Sequence, residues 1–226
     1  MIYYYSWLIK TLLLPQLVTN LTYFVVGHLL LYLNLNRYKI RKLTILEKEK
    51  FPLYKNLIIN LTINSTISLI IGLLFLQISP THINPDDFIE TNYIVMLSKV
   101  FMAYVISQIV FFTAHLIFHT KIMYKHFHYL HHQAEDPISL TANYCHPVEF
   151  TFSNLPTVVM GVILTQMSWL LSVVIWYPLI TIISLLEHSG YKFFFFDPSH
   201  HDKHHKLKMY NYSSWPFVDK MFGTYK

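Results

Sequence analysis

Apolar residues dominate four stretches of the chain, and each stretch is long enough to cross a lipid bilayer as a helix. A spanning helix needs roughly 20 mainly apolar residues. The stretches cover about residues 7–33, 57–78, 93–118 and 150–186. The first is interrupted near Pro15 and Gln16, and the last is long enough for a helical hairpin that turns near Gln166-Met167-Ser168. This pattern predicts an all-α integral membrane protein with about four transmembrane regions, namely three spans and a hairpin.

The charges of two connecting loops predict the orientation of these helices. The loop at about residues 34–56 carries seven basic residues: Arg37, Lys39, Arg41, Lys42, Lys48, Lys50 and Lys55. The loop at about residues 79–92 has no Lys or Arg and three acidic residues: Asp86, Asp87 and Glu90. Because an excess of Lys and Arg remains in the cytosol, the first loop is expected there and the second in the lumen. The third span then returns to the cytosol near His115, and the hairpin starts and ends on that side.

Histidines are concentrated in the second half of the chain, where three short clusters contain eight of the fourteen. The clusters are His115 and His119, then His128, His131 and His132, and finally His201, His204 and His205. Residues three and four apart share one face of a helix, so each cluster is expected to present its rings in one direction. The third span, extended to His119, would be about 40 Å long at 1.5 Å per residue. The sequence therefore predicts a histidine-rich helical cap on the cytosolic side.

Eight converging imidazoles exceed the number that one metal ion binds, since a zinc site takes about four ligands. The clusters therefore predict two ions. Imidazole suits zinc, copper, iron and nickel, so the residue type leaves the metal open. His146, in a turn before the hairpin, and His188, at its end, are expected as additional ligands. Four other histidines are not: His28, His82, His126 and His200.

Other roles for the clusters are a proton-sensing patch, because histidine titrates near neutral pH, a haem site with two imidazole ligands, and a structural zinc core. Three phased clusters on one face favour the two-metal interpretation over each of these.

The composition excludes several classes of site. Five glycines occur without any Gly-x-Gly sequence, which argues against a dinucleotide fold or a phosphate loop. Electrons for any redox reaction are thus expected from a separate protein. Cys145 is the only cysteine, so thiolate metal sites are excluded and the residue is expected to be passive. The net charge of +5 comes without a basic face interleaved with aromatics, so no nucleic-acid partner is expected.

The spacing His-x3-His, His-x2-His-His, His-x2-His-His resembles the fatty acid hydroxylase superfamily of membrane di-iron oxygenases. Two shorter stretches are similar to segments of its sterol C4-methyl oxidase and sterol desaturase-like members: Asn-Tyr-Cys-His-Pro-Val-Glu at 143–149 and Glu-His-Ser-Gly-Tyr at 187–191. The segment Asp-Lys-Met-Phe-Gly-Thr at 219–224 follows their last histidine box in the same way. The resemblance extends over about residues 93–225.

The resemblance implies a multi-pass enzyme of the endoplasmic reticulum membrane that holds two iron ions with these histidines. It implies a monooxygenase that uses O2 and electrons from NAD(P)H, relayed by a cytochrome b5-type donor. The implied substrate is a membrane lipid, either a sterol or a fatty-acyl chain, oxidised at an unactivated C–H bond. Residues 1–92 would form an N-terminal transmembrane region and residues 93–226 the catalytic domain. Zinc is expected in purified protein as well, because it lies above ferrous iron in the affinity order.

Residues around the metal are also expected to matter. The second ring nitrogen of a ligand histidine needs an acceptor that fixes the ring, and the candidates are Glu149, Glu187, Asp202, Asn211 and Asp219. Trp169, Trp176 and Tyr177 in the hairpin are candidates for a lipid pocket, although core packing or lipid anchoring is favoured for them. The substrate-binding residues stay unassigned.

Two other functions stay open. One is a desaturase on the same metal site, because hydrogen abstraction without hydroxyl transfer gives an alkene. The other is a membrane protein that binds metal without catalysis.

Overall fold

In the part of the chain that the structure describes, five helices are long and apolar enough to cross a membrane. The structure is a computed structural model that describes residues 9–32, 38–40, 50–78 and 91–226. The five helices are Leu14–Tyr32 (α1), Lys50–Ile78 (α2), Tyr93–Phe118 (α3), Pro147–Thr165 (α4) and Trp169–His188 (α5). The described residues form no β-strand, only isolated bridges. The predicted all-α membrane architecture, with three spans and a hairpin, is confirmed.

The helix boundaries have local causes. The side chain of Asn92 accepts hydrogen bonds from the first free N–H groups of α3, which satisfies donors that have no partner inside the helix. The interruption predicted near Pro15 is a change of helix type, since the π-helical turn Ile9–Leu13 leads directly into α1. The hairpin turns at Gln166, which has a left-handed conformation with φ of 49°. Lys99 on α3 donates to the Gln166 carbonyl at 2.8 Å and ties the turn to the start of α3.

α3 and α4 pack closely because small residues face each other. A Cβ atom at Gly161 would lie 2.9 Å from both the Cβ and the carbonyl oxygen of Ala103. Glycine at this position therefore lets the two backbones approach, as is common between membrane helices. Trp176 of α5 is fully buried in the same core and donates from its indole N–H to the Val158 carbonyl at 2.8 Å.

α1 packs against α5 and against the loop of residues 134–146 that follows the second histidine cluster. The Tyr23 hydroxyl donates to the Leu140 carbonyl, and the Ser139 hydroxyl donates to the Gly27 carbonyl at 2.7 Å. A Cβ at Gly27 would lie 2.5 Å from Cδ2 of Leu140, so a larger residue here would force the Leu140 side chain to move. The first helix thus holds the segment that carries the histidines.

Two shorter helices and two irregular turns form the cap. Ser199–Leu207 (α6) carries the third histidine cluster, and Pro216–Phe222 (α7) follows it. The second cluster lies in a π-helical turn, Tyr124–His128, and a 3₁₀ turn, His131–Gln133. The helix type changes between them, so the single α-helical stripe expected for this cluster is not observed.

Most of the two charged loops that predict the orientation lie at residues 33–37, 41–49 and 79–90, outside the described residues. The cytosolic placement of the cap therefore stays a prediction.

Candidate metal centre

The structure brings nine of the ten expected ligand histidines into two adjacent groups. In each group one ring nitrogen of every member lies within 4.8 Å of the corresponding nitrogen of the others. The five-histidine group consists of His115, His119, His128, His132 and His204, and the four-histidine group of His131, His188, His201 and His205. The two groups meet where the rings of His132 and His205 lie 4.8 Å apart between centroids.

The Nε2 atoms within each group are spaced like ligands of a common ion. Neighbouring Nε2 atoms lie between 2.9 Å, for His128 and His119, and 3.3 Å, for His188 and His131. A metal–nitrogen bond of about 2.0–2.1 Å places two ligand atoms roughly 3.0–3.4 Å apart, depending on the angle at the metal. The observed spacing thus fits a metal in each group.

The hydrogen bonds of the other ring nitrogen, Nδ1, show why the Nε2 atoms need a cation between them. Five of the rings direct Nδ1 at a backbone carbonyl: His115 at Tyr212, His131 at Tyr144, His188 at Ser184, His204 at Tyr210 and His205 at Ala134, at 2.5–3.2 Å. A carbonyl oxygen only accepts, so Nδ1 carries the hydrogen and the neutral ring has a lone pair on Nε2. Lone pairs that face each other, as those of His131 and His188 do, repel unless a cation lies between them. The residues therefore fit two metal ions.

Burial keeps these rings neutral. The side chains of His204 and His205 are fully buried. Burial lowers the pKa of His131 to about 4. Burial also lowers the pKa of His132 and His205 far below the usual value, and the neighbouring imidazoles lower it further. Protons therefore do not compete with a metal for the Nε2 lone pairs near neutral pH.

The second and third histidine clusters each serve both groups. His132 belongs to the five-histidine group and its neighbour His131 to the four-histidine group, and His204 and His205 are divided in the same way. The expectation that each cluster presents its rings in one direction is therefore not met. Adjacent residues belong to different groups, and the two clusters join the two groups.

His146 lies outside both groups. It caps the start of α4, where its Nδ1 accepts a hydrogen bond from the Val148 N–H at 3.1 Å, and its ring packs against Phe127. That nitrogen is therefore occupied by the helix end, and the expectation of a metal ligand is not supported by the geometry.

Of the four histidines not expected as ligands, the three that the structure describes also lie outside the two groups. His126 is exposed, and His28 contacts the Phe24 carbonyl on its own helix. His200 pairs with Asp219 at 2.9 Å. His82 lies outside the described residues.

Of the residues expected to hold the ligand histidines in place, Glu149 contacts one of these histidines directly. Its Oε1 lies 2.8 Å from Nδ1 of His128. Glu187 instead accepts from the Ser214 hydroxyl at 3.1 Å, and Asp202 is buried on α6. The Asn211 side chain bonds to the His200 carbonyl and to the backbone of Lys226.

Asp219 acts on the histidines through the backbone. Its carboxylate accepts from the N–H groups of Tyr212 and Ser213 at 2.8 and 2.9 Å. Burial would raise its pKa, but hydrogen bonds from His200, Ser213 and Thr224 lower it to about 2. Asp219 thus holds the loop of residues 208–215, between α6 and α7, whose Tyr212 carbonyl holds His115. The carbonyl partners escape sequence analysis because a backbone oxygen has no side-chain signature.

A cavity of about 390 Å³ lies among the spanning helices and reaches the histidines. Its lining includes His115 and His128 of one group and His131 and His188 of the other. This volume is in the range of small-molecule sites.

The hairpin aromatics contribute unequally to this cavity. Tyr177 lines it. The indole of Trp169 donates to the Lys10 carbonyl at 3.0 Å, and that of Trp176 lies in the α4–α5 core.

Cys145 is fully buried, and burial raises the pKa of its thiol, as befits a passive residue.

Comparison with known proteins places these features in a family. The model of the family "Fatty acid hydroxylase" matches residues 100–224. Very-long-chain aldehyde decarbonylase GL1-11 of Oryza sativa subsp. indica is 34% identical over 149 residues, which are 60% of this chain and 55% of the relative. Methylsterol monooxygenase 2-1 of Arabidopsis thaliana is 32% identical over 157 residues, 58% of this chain and 57% of the relative.

Fatty acid hydroxylase domain-containing protein 2 of Homo sapiens is 33% identical over 120 residues, 53% of this chain and 36% of the relative. The chain thus spans about half, or less, of the length of these relatives. No solved structure matches it. Because the family model matches more than half of the chain, and that part contains the nine converging histidines, the protein belongs to the fatty acid hydroxylase family.

Proposed function

We propose that the protein is an O2-dependent di-iron monooxygenase that hydroxylates an unactivated C–H bond of a membrane lipid. The observation that carries this proposal is the convergence of nine imidazoles, in two adjacent groups, at a lipid-sized cavity. The similarity to a methylsterol monooxygenase favours a sterol substrate, and the family favours a fatty-acyl chain as the alternative.

Each histidine group would hold one iron ion, the first through His204 and its partners and the second through His205 and its partners. Bound iron supplies the reduction and cleavage of O2: one oxygen atom enters the C–H bond, and the other leaves as water with two electrons and two protons. Zinc lies above ferrous iron in the affinity order, so the metal content of purified protein has to be measured for both.

The protein itself would orient the metal ligands and surround the substrate. The backbone carbonyls and Glu149 fix the ring orientations before the metal binds, which is the usual task of groups around metal ligands. The walls of the cavity are mainly apolar, and they keep water away from the histidines while the substrate carbon lies beside His115 and His188.

Electrons would come from NAD(P)H through a separate protein, because the sequence has no Gly-x-Gly for a dinucleotide. The resemblance to the family favours a cytochrome b5-type donor. The charge difference between the two connecting loops supports a cytosolic cap, where such a donor would reach it. The proposed location is the endoplasmic reticulum membrane, and the proposed catalytic unit is residues 93–226, with residues 1–92 as a transmembrane region packed against it.

The test removes one ligand from each group. We expect the double variant His131→Ala, His204→Ala to remain in the membrane, to lose iron and zinc, and to lose turnover. The exposed His126 lies outside both groups, so His126→Ala is a matched control that keeps metal and activity. Metal is measured by mass spectrometry per chain, and products are measured from sterols, fatty-acyl lipids and long-chain aldehydes with a supplied reductase. Full activity of the double variant would refute the proposal.

The same product analysis separates the neighbouring functions. An alkene instead of an alcohol identifies a desaturase. Bound metal without O2 consumption across the whole lipid panel identifies a protein that binds metal without catalysis.

A further inference from the structure

Three polar side chains that line the cavity each have a buried oxygen that lacks a hydrogen-bond partner among the described residues. These atoms are Oδ1 of Asn64, Oε1 of Gln108 and Oε2 of Glu149. Buried polar groups almost always have a partner, so each exception needs an explanation. Glu149 belongs to the metal centre through His128. The two amides have no such role and indicate a ligand.

The network around Asn60 determines which atom of Asn64 is unpaired. Asn60 bonds to Cys145 twice: its Nδ2 donates to the Cys145 carbonyl at 2.8 Å, and its Oδ1 accepts from the Cys145 N–H at 3.2 Å. This pair fixes the orientation of the Asn60 amide. Asn64 donates from Nδ2 to that same Oδ1 at 3.1 Å. The unpaired atom of Asn64 is therefore an oxygen, and it requires a hydrogen-bond donor.

Gln108 supplies the second amide from another helix. Its side chain is 2% exposed and forms no hydrogen bond with another described residue. It lies on α3 seven residues before His115, about 10 Å along the helix axis at 1.5 Å per residue. Phe111 and His115 line the same cavity, so the face of α3 on which Gln108 lies continues to the metal centre.

We propose that Asn64 and Gln108 bind the hydroxyl group of a lipid in this cavity and so select a hydroxylated lipid over its deoxy analogue. A hydroxyl donates its one hydrogen to Asn64 Oδ1, and its oxygen accepts from the NH2 of Gln108. No hydrogen bond among the described residues fixes which end of the Gln108 amide faces the cavity, so rotation of the amide brings its NH2 to the hydroxyl. Both amides are uncharged, which suits a neutral donor better than an ammonium group. This inference rests on the proposed function, because it takes the cavity as the substrate site.

The shared chemistry, a lipid hydroxyl, has two sources: a sterol and a long-chain alcohol. The probes are therefore two pairs, cholesterol with cholest-5-ene and octadecanol with octadecane, each pair differing only in the hydroxyl. Binding to the detergent-purified protein is measured by competition with the tritiated alcohol of the pair. We expect the wild-type protein to prefer the hydroxylated member in one pair, and that pair identifies the source.

The test variant is Gln108→Leu, which removes the amide at nearly constant volume and breaks no hydrogen bond within the described residues. We expect the preference for the hydroxylated probe to fall at least about tenfold, because a site built around a hydroxyl rejects ligands without it. Metal content should stay at the wild-type level, which shows that the variant is folded. The matched control is Gln16→Leu, since Gln16 also lines the cavity but bonds to Asn20 at 3.0 Å.

Two results would overturn the inference: no preference for either hydroxylated probe in the wild-type protein, or an unchanged preference in Gln108→Leu. Failure of the proposed function looks different. In that case the wild-type protein and the double variant His131→Ala, His204→Ala both prefer the hydroxylated probe, but neither consumes O2.

Discussion

The two histidine groups share the second and third clusters, yet different parts of the chain hold their rings in place. In the five-histidine group, His115 and His204 are held by the carbonyls of Tyr212 and Tyr210, both in the 208–215 loop. In the four-histidine group, the carbonyls come from the 134–146 loop and from α5: Ala134 for His205, Tyr144 for His131 and Ser184 for His188. Two sites with nearly the same ligand chemistry thus have separate supports.

The groups also differ in their surroundings. All members of the four-histidine group are buried, whereas the five-histidine group includes the half-buried His119. The five-histidine group also has the carboxylate contact, from Glu149 to His128. The difference predicts that the two ions can be disturbed one at a time, even though their ligands alternate along the chain.

The strongest test compares two adjacent residues, His204 and His205, which serve different groups. We expect His204→Ala to weaken binding of the ion in the five-histidine group and His205→Ala that in the four-histidine group, and each to abolish turnover. Metal analysis should find about one ion fewer per chain in each variant, and the spectroscopic signature of the remaining iron should differ between them. Loss of both ions from either variant would mean that the groups are not separable.

The next largest effect is expected from a change in the loop that holds the five-histidine group in place. Asp219→Ala removes the carboxylate that holds Tyr212 and Ser213, and it leaves several buried donors without a partner. We expect a loss of roughly 3 kcal/mol in the free energy of unfolding, as for other broken buried pairs. In chelator competition, the ion of the five-histidine group should be released first.

The control for this variant is Asp197→Ala, which breaks an exposed ion pair with Lys192 and two exposed hydrogen bonds from Ser199. Exposed pairs contribute about 0–1 kcal/mol, so both ions should be retained. Equal release of the two ions from Asp219→Ala would contradict a support specific to one group.

A smaller effect is expected from Glu149→Gln, which keeps the shape of the side chain and replaces one of its carboxyl oxygens by an NH2 group. Changes around metal ligands cost about 10–100-fold in metal affinity or activity, and we expect the lower end because glutamine keeps one oxygen that can lie beside Nδ1 of His128. The affinity of the five-histidine group should fall, and that of the four-histidine group should not. An equal fall at both would show that Glu149 acts on the whole centre.

The smallest effect is expected from His146→Ala. The variant should lose about 1 kcal/mol of stability, the usual contribution of a helix cap, and both ions should be retained. Thermal unfolding and metal analysis of the same preparation measure the two effects. Loss of an ion would restore His146 as a ligand and add a member to one group.

The sequence predicts the spans well because the bilayer fixes their length. The third apolar stretch coincides with α3, from Tyr93 to Phe118, and the hairpin turns at the predicted Gln166. The division of the second and third histidine clusters between the two groups could not be predicted in the same way. For the second cluster, helical phase assumes a uniform α-helix, whereas the turns around His128 and His131 are π-helical and 3₁₀. For the third, the α-helix is regular, but the adjacent residues His204 and His205 belong to different groups because the groups lie side by side.

One local contact and one set of long-range contacts explain the remaining differences between the sequence predictions and the structure. His146 stands next to the clusters in sequence, but whether it binds metal or caps a helix depends on where Val148 places its N–H. Asn64 and Gln108 are visible as polar residues inside apolar stretches. The unpaired oxygen of Asn64 can be identified only from the hydrogen bonds between Asn60 and Cys145, which lie far apart in the sequence.

The third cluster supplies histidines to both groups, and this has a consequence for biosynthesis. Neither ion site can be completed before the ribosome has added His204 and His205, about ninety residues after His115. The nascent chain therefore enters the bilayer before the ligand set of either group is complete. The two metal ions proposed above would find all their ligands only after α6 has been translated.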